Sequence, residues 1–176
     1  LKLWQRLKVE LYNQELMDIF NLETRLFPCL VDMRFKGVKV DLEKAQNIKL
    51  NLIKREETLI KKIKDLTGVE VEIMAARSIA KAFDKLKLPY DRTAKSKEPS
   101  FTKNFLQNHP HELPKLIAEA RELNKAHSTF IDSITKHAVN GRIHADINQI
   151  RSDAGGTVTG RFSMSNPNLQ QIPARH

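Results

Sequence analysis

Residues 41–68 read DLEKAQNIKLNLIKREETLIKKIKDLTG, and this stretch decides the fold class. Its apolar side chains return at heptad spacing and are flanked by isoleucines, which places them on one face of a helix: Ala45, Leu52, Ile53, Leu59, Ile60, Ile63 and Leu66. Asp41 is a suitable N-cap, and Gly68 stands where a helix would end. The pattern predicts one amphipathic helix of about 25 residues, or roughly 37 Å at 1.5 Å per residue.

A second long helix is predicted to begin at Leu113-Pro114, since proline is tolerated in a first turn, and to close at Gly141. Its apolar stripe again has helical spacing: Leu116, Ile117, Ala120, Leu123, His127, Phe130, Ile131 and Ile134. Two short helices, at about 75–86 and 102–108, and a polar connection at 91–100 lie between the long ones. The expected fold is mainly α, with two long antiparallel helices and a small basic helical tip.

The flanking segments differ from this body. Before Gly37, a helix from Leu11 to Phe35 with a kink at Pro28 is expected. After Gly141, the alternation from Arg142 to Ile147 predicts a strand, followed by a short turn-rich segment. The predicted domains are residues 1–36 (helical lead-in), 37–140 (helical domain) and 141–176 (strand and turns).

Composition limits the kind of partner. The 176 residues carry 30 basic and 21 acidic side chains, for a net charge of +9. This excess predicts an anionic partner, most simply nucleic acid. No apolar run is long enough to span a membrane, no signal peptide is recognisable, and Cys29 is the single cysteine, so a cytoplasmic protein without disulfides is expected.

The cations lie in two kinds of sequence. On the long helices they alternate with acids, which fits a solvated face as well as phosphate contact. Between Lys81 and Lys103, seven cations accompany three acids in a loop-rich stretch, where phosphate contact is a stronger alternative.

Three histidines and a glycine pair resemble parts of metal or nucleotide sites, but their surroundings favour structural roles. His109 and His111 could suggest a metal pair, but no third ligand is nearby in sequence, and a loop surface fits better. His127 falls on the apolar stripe, which favours a satisfied core or interface histidine over a catalytic base. Gly155-Gly156 lacks the lysine of a phosphate loop.

The last segment has a different chemistry, rich in arginine and amide side chains. Arg161 follows Gly160, which lets the backbone approach a ligand closely. Asn168, Gln170 and Gln171 offer donors and acceptors between Pro167 and Pro173. Such groups suit the minor groove, where every base pair presents acceptors. A polar surface loop remains the alternative.

These residues also carry a resemblance. TGRFS at 159–163 and NPNLQQIP at 166–173 resemble the Thr-Gly-Arg…Pro-Asn-Leu-Gln-Asn-Ile-Pro signature of family A DNA polymerases, and the preceding residues 147–156 are similar to phage-type members. GVKVD at 37–41, FDKLKLP at 83–89, the residues of the thumb tip at 93–101, and RELNK with STFID at 121–132 are similar to the family's thumb. Nearly the whole chain is covered, as thumb and start of palm.

The resemblance implies a fragment of a template-directed DNA polymerase that grips primer-template DNA. Arg161, Asn168, Gln170 and Gln171 would lie in the minor groove near the primer terminus. The implied backbone contacts are Lys95, Lys97, Lys125 and Arg175. Two departures affect the thumb tip: Ile73-Met74 stands where the family has an Asn-Ser cap, and Lys87 replaces a common glycine.

The resemblance also implies what else the parent enzyme would need. Its chemistry would use Mg²⁺ held by palm aspartates, and the remaining palm and fingers would be protein partners. No catalytic or metal-ligating residue is expected in this chain, which would be inactive alone.

Two rival functions remain open from sequence. One is an autonomous basic helical DNA-binding protein without an enzymatic parent. The other is a structural helical interaction module, which predicts no salt-dependent duplex binding.

Overall fold

The structure is a computed structural model that describes residues 2–151 and 155–172. It divides into two compact units. The helical unit comprises Leu42–Ser133, and the split unit combines Leu1–Asp41 with Ile134–His176. The division into 1–36, 37–140 and 141–176 stays a prediction.

The helical unit is built on the two predicted long helices. Its elements are α3 (Leu42–Thr67), α4 (Ala76–Lys85), β2 (Asp91–Arg92), β3 (Pro99–Ser100), α5 (Lys103–Asn108), α6 (Glu112–Lys125) and a π-helical turn (Ala126–Ile131), after which α7 (Asp132–His137) begins. Helices α3 and α6 pack together along their lengths. The mainly α class is confirmed, with few and short strands.

A single apolar core holds the helical unit together. Its fully buried members include Phe83, Ile79, Leu106 and Ile117, which come from α4, α5 and α6. The centres of the Phe83 and Phe101 rings lie 4.8 Å apart. Burying side chains of this size stabilises a fold by about 1.5–3 kcal/mol each, so this core dominates the unit's stability.

A buried polar cluster joins α3 to α6. The Glu56 carboxylate, on α3, contacts the Nε2 atom of His127 at 2.5 Å and accepts a hydrogen bond from Asn124 at 3.0 Å. His127 lies in the π turn, whose extra residue per turn changes the direction of the side chains. The expectation of a core histidine at this position is confirmed.

The helix ends follow local chemistry. Gly68 has φ +69° after α3, as expected of a left-handed C-terminal residue. Thr102 caps α5 by accepting from the Phe105 amide at 3.2 Å. His111 caps α6 through Nδ1, which accepts from the Leu113 amide at 3.1 Å. The two histidines of the rejected metal pair therefore stabilise the chain locally, since His109 Nδ1 accepts from the His111 amide.

The split unit contains helices α1 and α2 and two small sheets. Its elements are α1 (Lys2–Asn13), α2 (Met17–Lys36), β1 (Val38–Lys39), β4 (Ala138–Val139), β5 (Arg142–Ile143), β6 (Asp146–Asn148), β7 (Ser163–Ser165) and a 3₁₀ turn (Leu169–Gln171). One sheet has the order β1-β5-β4, and β6 pairs with β7, all antiparallel.

Local expectations were wrong at three places. The helix expected over 11–35 is broken between α1 and α2, where Glu15 adopts φ +56°, while Pro28 remains inside α2. Gly141 does not end a helix: α7 ends at His137, and Asn140-Gly141 forms the turn between β4 and β5 with both φ angles positive.

The third place is the strand expected over 142–147, which is divided into β5 and β6. The polar connection expected at 91–100 also contains a short antiparallel pair, in which Asp91 faces Ser100 and Arg92 faces Pro99. Strands this short form because of partners far along the chain, which local alternation does not show.

Candidate nucleic-acid interface

The turn between β2 and β3 presents two lysines. Lys95 and Lys97 are exposed, and Lys97 adopts φ +58°. Within the described residues, neither ammonium group pairs with a carboxylate. The turn is closed by Arg92, whose Nη1 donates to the Lys97 carbonyl at 3.0 Å, and by the Thr93 amide, which donates to the Glu98 carbonyl at 2.9 Å. An ordered turn thus exposes two positive charges.

The acid nearest these lysines in sequence is already paired. Glu98 accepts two hydrogen bonds from Arg77, at 2.8 and 3.2 Å, and this pairing lowers the pKa of the Glu98 carboxyl. Bidentate pairing of this kind is specific in geometry. Because Glu98 is paired with Arg77, the positive charge of the turn is left for an external anion.

The Arg121 side chain stabilises the backbone near this turn through two hydrogen bonds. Its Nε donates to the Ile73 carbonyl at 2.6 Å and its Nη1 to the Phe101 carbonyl at 2.9 Å. Burial lowers the pKa of its guanidinium. The Ile73-Met74 segment, which lacks a side-chain cap at the start of α4, is therefore held by Arg121 instead.

Lys125 lies at the end of α6, with its Nζ 5.9 Å from the centre of the Phe130 ring. It is exposed. A cation held over a ring face keeps its charge available to solvent anions. Lys125 belongs to a different element from the β2–β3 turn, so the helical unit offers cations at more than one place.

In the split unit, Arg161 has a fixed backbone and an open side chain. The Thr157 hydroxyl donates to its carbonyl at 2.6 Å, and Gln170 Nε2 donates to the next carbonyl, that of Phe162, at 3.1 Å. No described residue binds its guanidinium, which is exposed. Gly160 has φ +70°, and no atom lies within 4 Å of the position a Cβ would take. The region therefore leaves room for a ligand beside Arg161.

The three amides of this segment are used differently. Gln170 is engaged at both ends, since its Oε1 accepts from the Met164 amide at 3.2 Å while its Nε2 binds Phe162. Asn168 Oδ1 accepts from the Gln170 amide at 3.1 Å, and its own NH₂ group has no described partner. Gln171 is exposed. Arg175 lies outside the described residues.

Sequence reasoning missed the residue that holds this segment to the sheet. Asn166 has φ +52° and donates from Nδ2 to Asp146 Oδ2 at 3.0 Å. The other oxygen of Asp146 pairs with Arg34 Nη2 at 2.6 Å. An Asn before a proline signals a turn, but nothing local identifies Asp146 or Arg34 as its partners.

No metal centre is formed by the described residues. Within 2–151 and 155–172, no three His, Cys, Asp or Glu side chains are grouped so that they could hold an ion. These residues do not fit the magnesium centre that the resemblance implies for a polymerase, and magnesium in the parent enzyme stays a prediction. In the same residues, no helix is long and apolar enough to cross a membrane.

Comparison with known proteins identifies the family. The family model for DNA polymerase family A matches residues 42–176, so this chain belongs to that family. It is 32% identical to a DNA-directed DNA polymerase of Pseudomonas phage M6 over 99% of this chain. It is also 32% identical to DNA polymerase I of Geobacillus stearothermophilus over 93% of the chain. The expected family and its phage-type character are confirmed.

The relatives are much longer than this chain, which spans 28% of the phage polymerase and 18% of the Geobacillus enzyme. Among solved structures, the POL domain of Pol1 from M. smegmatis in complex with DNA primer-template and dNTP matches 84% of the chain. The TM-score is 0.71 at 23% identity, and the chain covers 26% of that structure. This likeness shows that the fold is shared.

Proposed function

We propose that this chain is the part of a template-directed DNA polymerase that grips primer-template DNA. Membership in family A supports this function, as does the presence of a primer-template in the related M. smegmatis structure. The observation that carries the proposal is Arg161, whose guanidinium is open while its own carbonyl and that of Phe162 accept hydrogen bonds. A planar donor on a fixed backbone suits the acceptors of the minor groove.

Two kinds of contact follow. Arg161, the NH₂ group of Asn168, and Gln171 would contact base edges near the primer terminus. Lys95, Lys97, Lys125 and Arg175 would contact phosphates and add affinity without reading sequence. Gln170 would act through the backbone of Met164 and Phe162, in addition to the duplex contact expected from sequence.

The decisive experiment compares DNA ends with continuous duplex. Arg161→Ala should weaken binding to a primer-template junction by about ten-fold or more and leave closed circular duplex little changed, since one good contact is worth roughly 1–3 kcal/mol. Arg151→Ala is the matched control, because Arg151 is also exposed in this unit. Equal losses on both DNA forms would contradict the primer-terminus role.

The phosphate contacts have their own test. Lys95→Ala and Lys97→Ala should each weaken binding to all duplexes alike and reduce the slope of log K against log salt by up to about one unit. Lys61→Ala, on an exposed part of α3, is the control. An unchanged slope would favour a solvated loop.

We also propose that the chemistry is completed by the rest of the polymerase. The 176-residue chain should bind primed template but not extend it in the presence of Mg²⁺ and deoxynucleotides. Primer extension by the purified chain would overturn this part of the proposal. Loss of all salt-dependent duplex binding would instead favour an interaction module.

A further inference from the structure

Asp146 occupies a central place in the split unit. It lies on β6 directly opposite Ser165 of β7, and Ser165 is the residue immediately before Asn166. Its two carboxylate oxygens have different partners: Oδ2 accepts from Asn166 at 3.0 Å, and Oδ1 pairs with Arg34 at 2.6 Å. One side chain therefore connects helix α2 with the turn that leads to Asn168 and Gln170.

The Arg34 side of this connection is anchored to the sheet. The Nδ1 atom of His144 donates to the Arg34 carbonyl at 2.8 Å. Arg142 Nη1 donates to the carbonyls of Lys36 and Gly37 at 2.9 and 3.1 Å, which satisfies the free end of α2. A Cβ at Gly37 would lie 2.8 Å from the His144 ring, so only glycine permits this approach. The end of α2 is thus a fixed base for Arg34.

The Asn166 side is held in a costly conformation. With φ at +52°, Asn166 is in the left-handed region, where asparagine is tolerated better than most residues. The following Pro167 is buried, and Gln170 closes the turn onto β7 through Met164 and Phe162. The turn is therefore fixed at its start by Asn166 and at its end by Gln170.

We infer that Asp146 is the positioning residue of residues 161–171, here called the duplex-end segment, because it holds Asn166 to helix α2 through Arg34. This inference rests on the proposed function for its DNA readout. Asp146 itself does not touch the duplex in this scheme. Its effect is to keep the turn at 166–171 packed on β7. This also keeps the hydrogen bond from Gln170 Nε2 to the Phe162 carbonyl, next to Arg161.

The electrostatics agree with this geometry. The Asn166 hydrogen bond, with the Arg34 charge, lowers the pKa of the Asp146 carboxyl, so it is ionised at neutral pH. Asn166 donates to a charged acceptor, and such bonds are stronger than neutral ones. An aspartate at position 166 would instead place a second carboxylate against Asp146.

The test exchanges the two partners. Asn166→Asp should release the turn at 166–171 from β7. It should weaken binding to a primer-template junction about five- to ten-fold and leave binding to closed circular duplex unchanged. The double variant Asp146→Asn with Asn166→Asp rebuilds an amide–carboxylate pair with the roles exchanged, and should recover binding to within about three-fold of the native chain. Asn21→Asp adds the same charge at an exposed site on α2 and serves as the control.

A second readout does not depend on DNA. Hydrogen exchange at the Met164 and Gln170 amides reports whether the turn is seated, since these amides bind Gln170 Oε1 and Asn168 Oδ1. Asn166→Asp should speed both exchanges at least about three-fold, and the double variant should restore them. Native exchange in Asn166→Asp, or no recovery in the double variant, would overturn the inference.

The two proposals fail in different ways. If Arg161→Ala lowers junction and circular duplex binding equally while the exchange rates follow the swap, the proposed function is wrong and the positioning role stands. If Arg161→Ala is selective for junctions but Asn166→Asp binds and exchanges as the native chain does, the positioning role is wrong. A general loss of folding would lower both DNA affinities together and would not be reversed in the double variant, so recovery there identifies loss of the Asp146–Asn166 contact.

Discussion

The two units hold themselves together by different means. The helical unit buries an apolar core around Phe83, which is 0% exposed. The split unit has few buried apolar side chains among its described residues, chiefly Leu30, Ile143 and Ala145, and leaves Tyr12 77% exposed. What orders its sheets is a set of hydrogen bonds and ion pairs through arginine and asparagine. One unit is stabilised mainly by burial, and the other by polar contacts.

The exposed apolar surface of the split unit sharpens this difference. Side chains of α1 and α2, of the connection between them and of the segment after β6 line a groove of about 420 Å³: Leu11, Leu16, Ile19, Phe20, Phe27 and Ile150. Contiguous apolar surface of this kind is typical of interaction sites. The helical unit buries Leu59 and Ile63 of its apolar stripe in a continuous core, although Leu66 at the end of the stripe stays 38% exposed.

Removal of a core aromatic residue tests the helical unit most severely. Phe83→Ala should lower the free energy of unfolding by about 3–5 kcal/mol, because it removes a fully buried ring and leaves a cavity. Urea unfolding followed by circular dichroism measures the loss. Phe35→Ala is the control, since Phe35 is 78% exposed in the split unit and should change stability by less than about 0.5 kcal/mol. Similar losses in both variants would erase the distinction between the units.

The buried polar cluster is the next test. Glu56→Ala should cost about 2–3 kcal/mol, because it leaves His127 and Asn124 without their shared acceptor in a low-exposure site. Glu57→Ala, at the exposed neighbouring position, should be close to neutral. A loss below about 0.5 kcal/mol in Glu56→Ala would show that apolar packing alone joins α3 to α6.

A substitution that relieves backbone strain should have a smaller effect on stability, and a stabilising one. Lys87 has φ +53° after α4, at a position where the family resemblance favours glycine. Lys87→Gly should stabilise the chain by about 0.5 kcal/mol, because the removal of left-handed strain outweighs the cost of the added unfolded-state entropy. Lys85→Gly, at the last position of α4, should destabilise it by up to about 1 kcal/mol. Thermal unfolding of both variants measures the difference, and destabilisation by Lys87→Gly would contradict it.

The smallest expected effect is the loss of stability that acid causes in the split unit through Asp146. The folded-state pKa of Asp146 is lowered, so its stabilisation is present above the unfolded-state pKa of about 3.9 and is lost as pH falls through the folded value. Solvent screening keeps the effect well below about 1 kcal/mol, because the Asp146 side chain is 36% exposed. The Asn166 side-chain amide resonance should therefore shift in acid below pH 4, and Asp146→Asn should abolish that shift.

Sequence was sufficient for the main helices because they depend on local patterns. The stripe from Ala45 to Leu66 predicts α3 with its end at Gly68, and the amphipathic stretch after Leu113 predicts α6. The break at Glu15 and the turn at Asn140-Gly141 were not predicted. The turn depends on the pairing of β4 with β5, which local sequence does not show. The order of β1, β5 and β4 brings together residues separated by most of the chain.

The candidate site likewise contains residues that the sequence could identify and contacts that it could not. Arg161, Asn168, Gln171, Lys95 and Lys97 could be selected from residue type and motif, and all five are exposed in the structure. The internal use of Gln170 could not be anticipated, because an amide in a turn looks the same whether it faces a ligand or its own backbone. The bonds to Met164 and Phe162 distinguish the two.

The sequence by itself determined the family and the two long helices, because a signature and a heptad stripe are both written in consecutive residues. Only the tertiary structure decided how the duplex-end segment is seated, since Arg34, Asp146 and Asn166 meet through the pairing of β6 with β7. An ion pair between residues far apart in the chain leaves no periodic trace. Its geometry exists only after the sheet that carries it has formed.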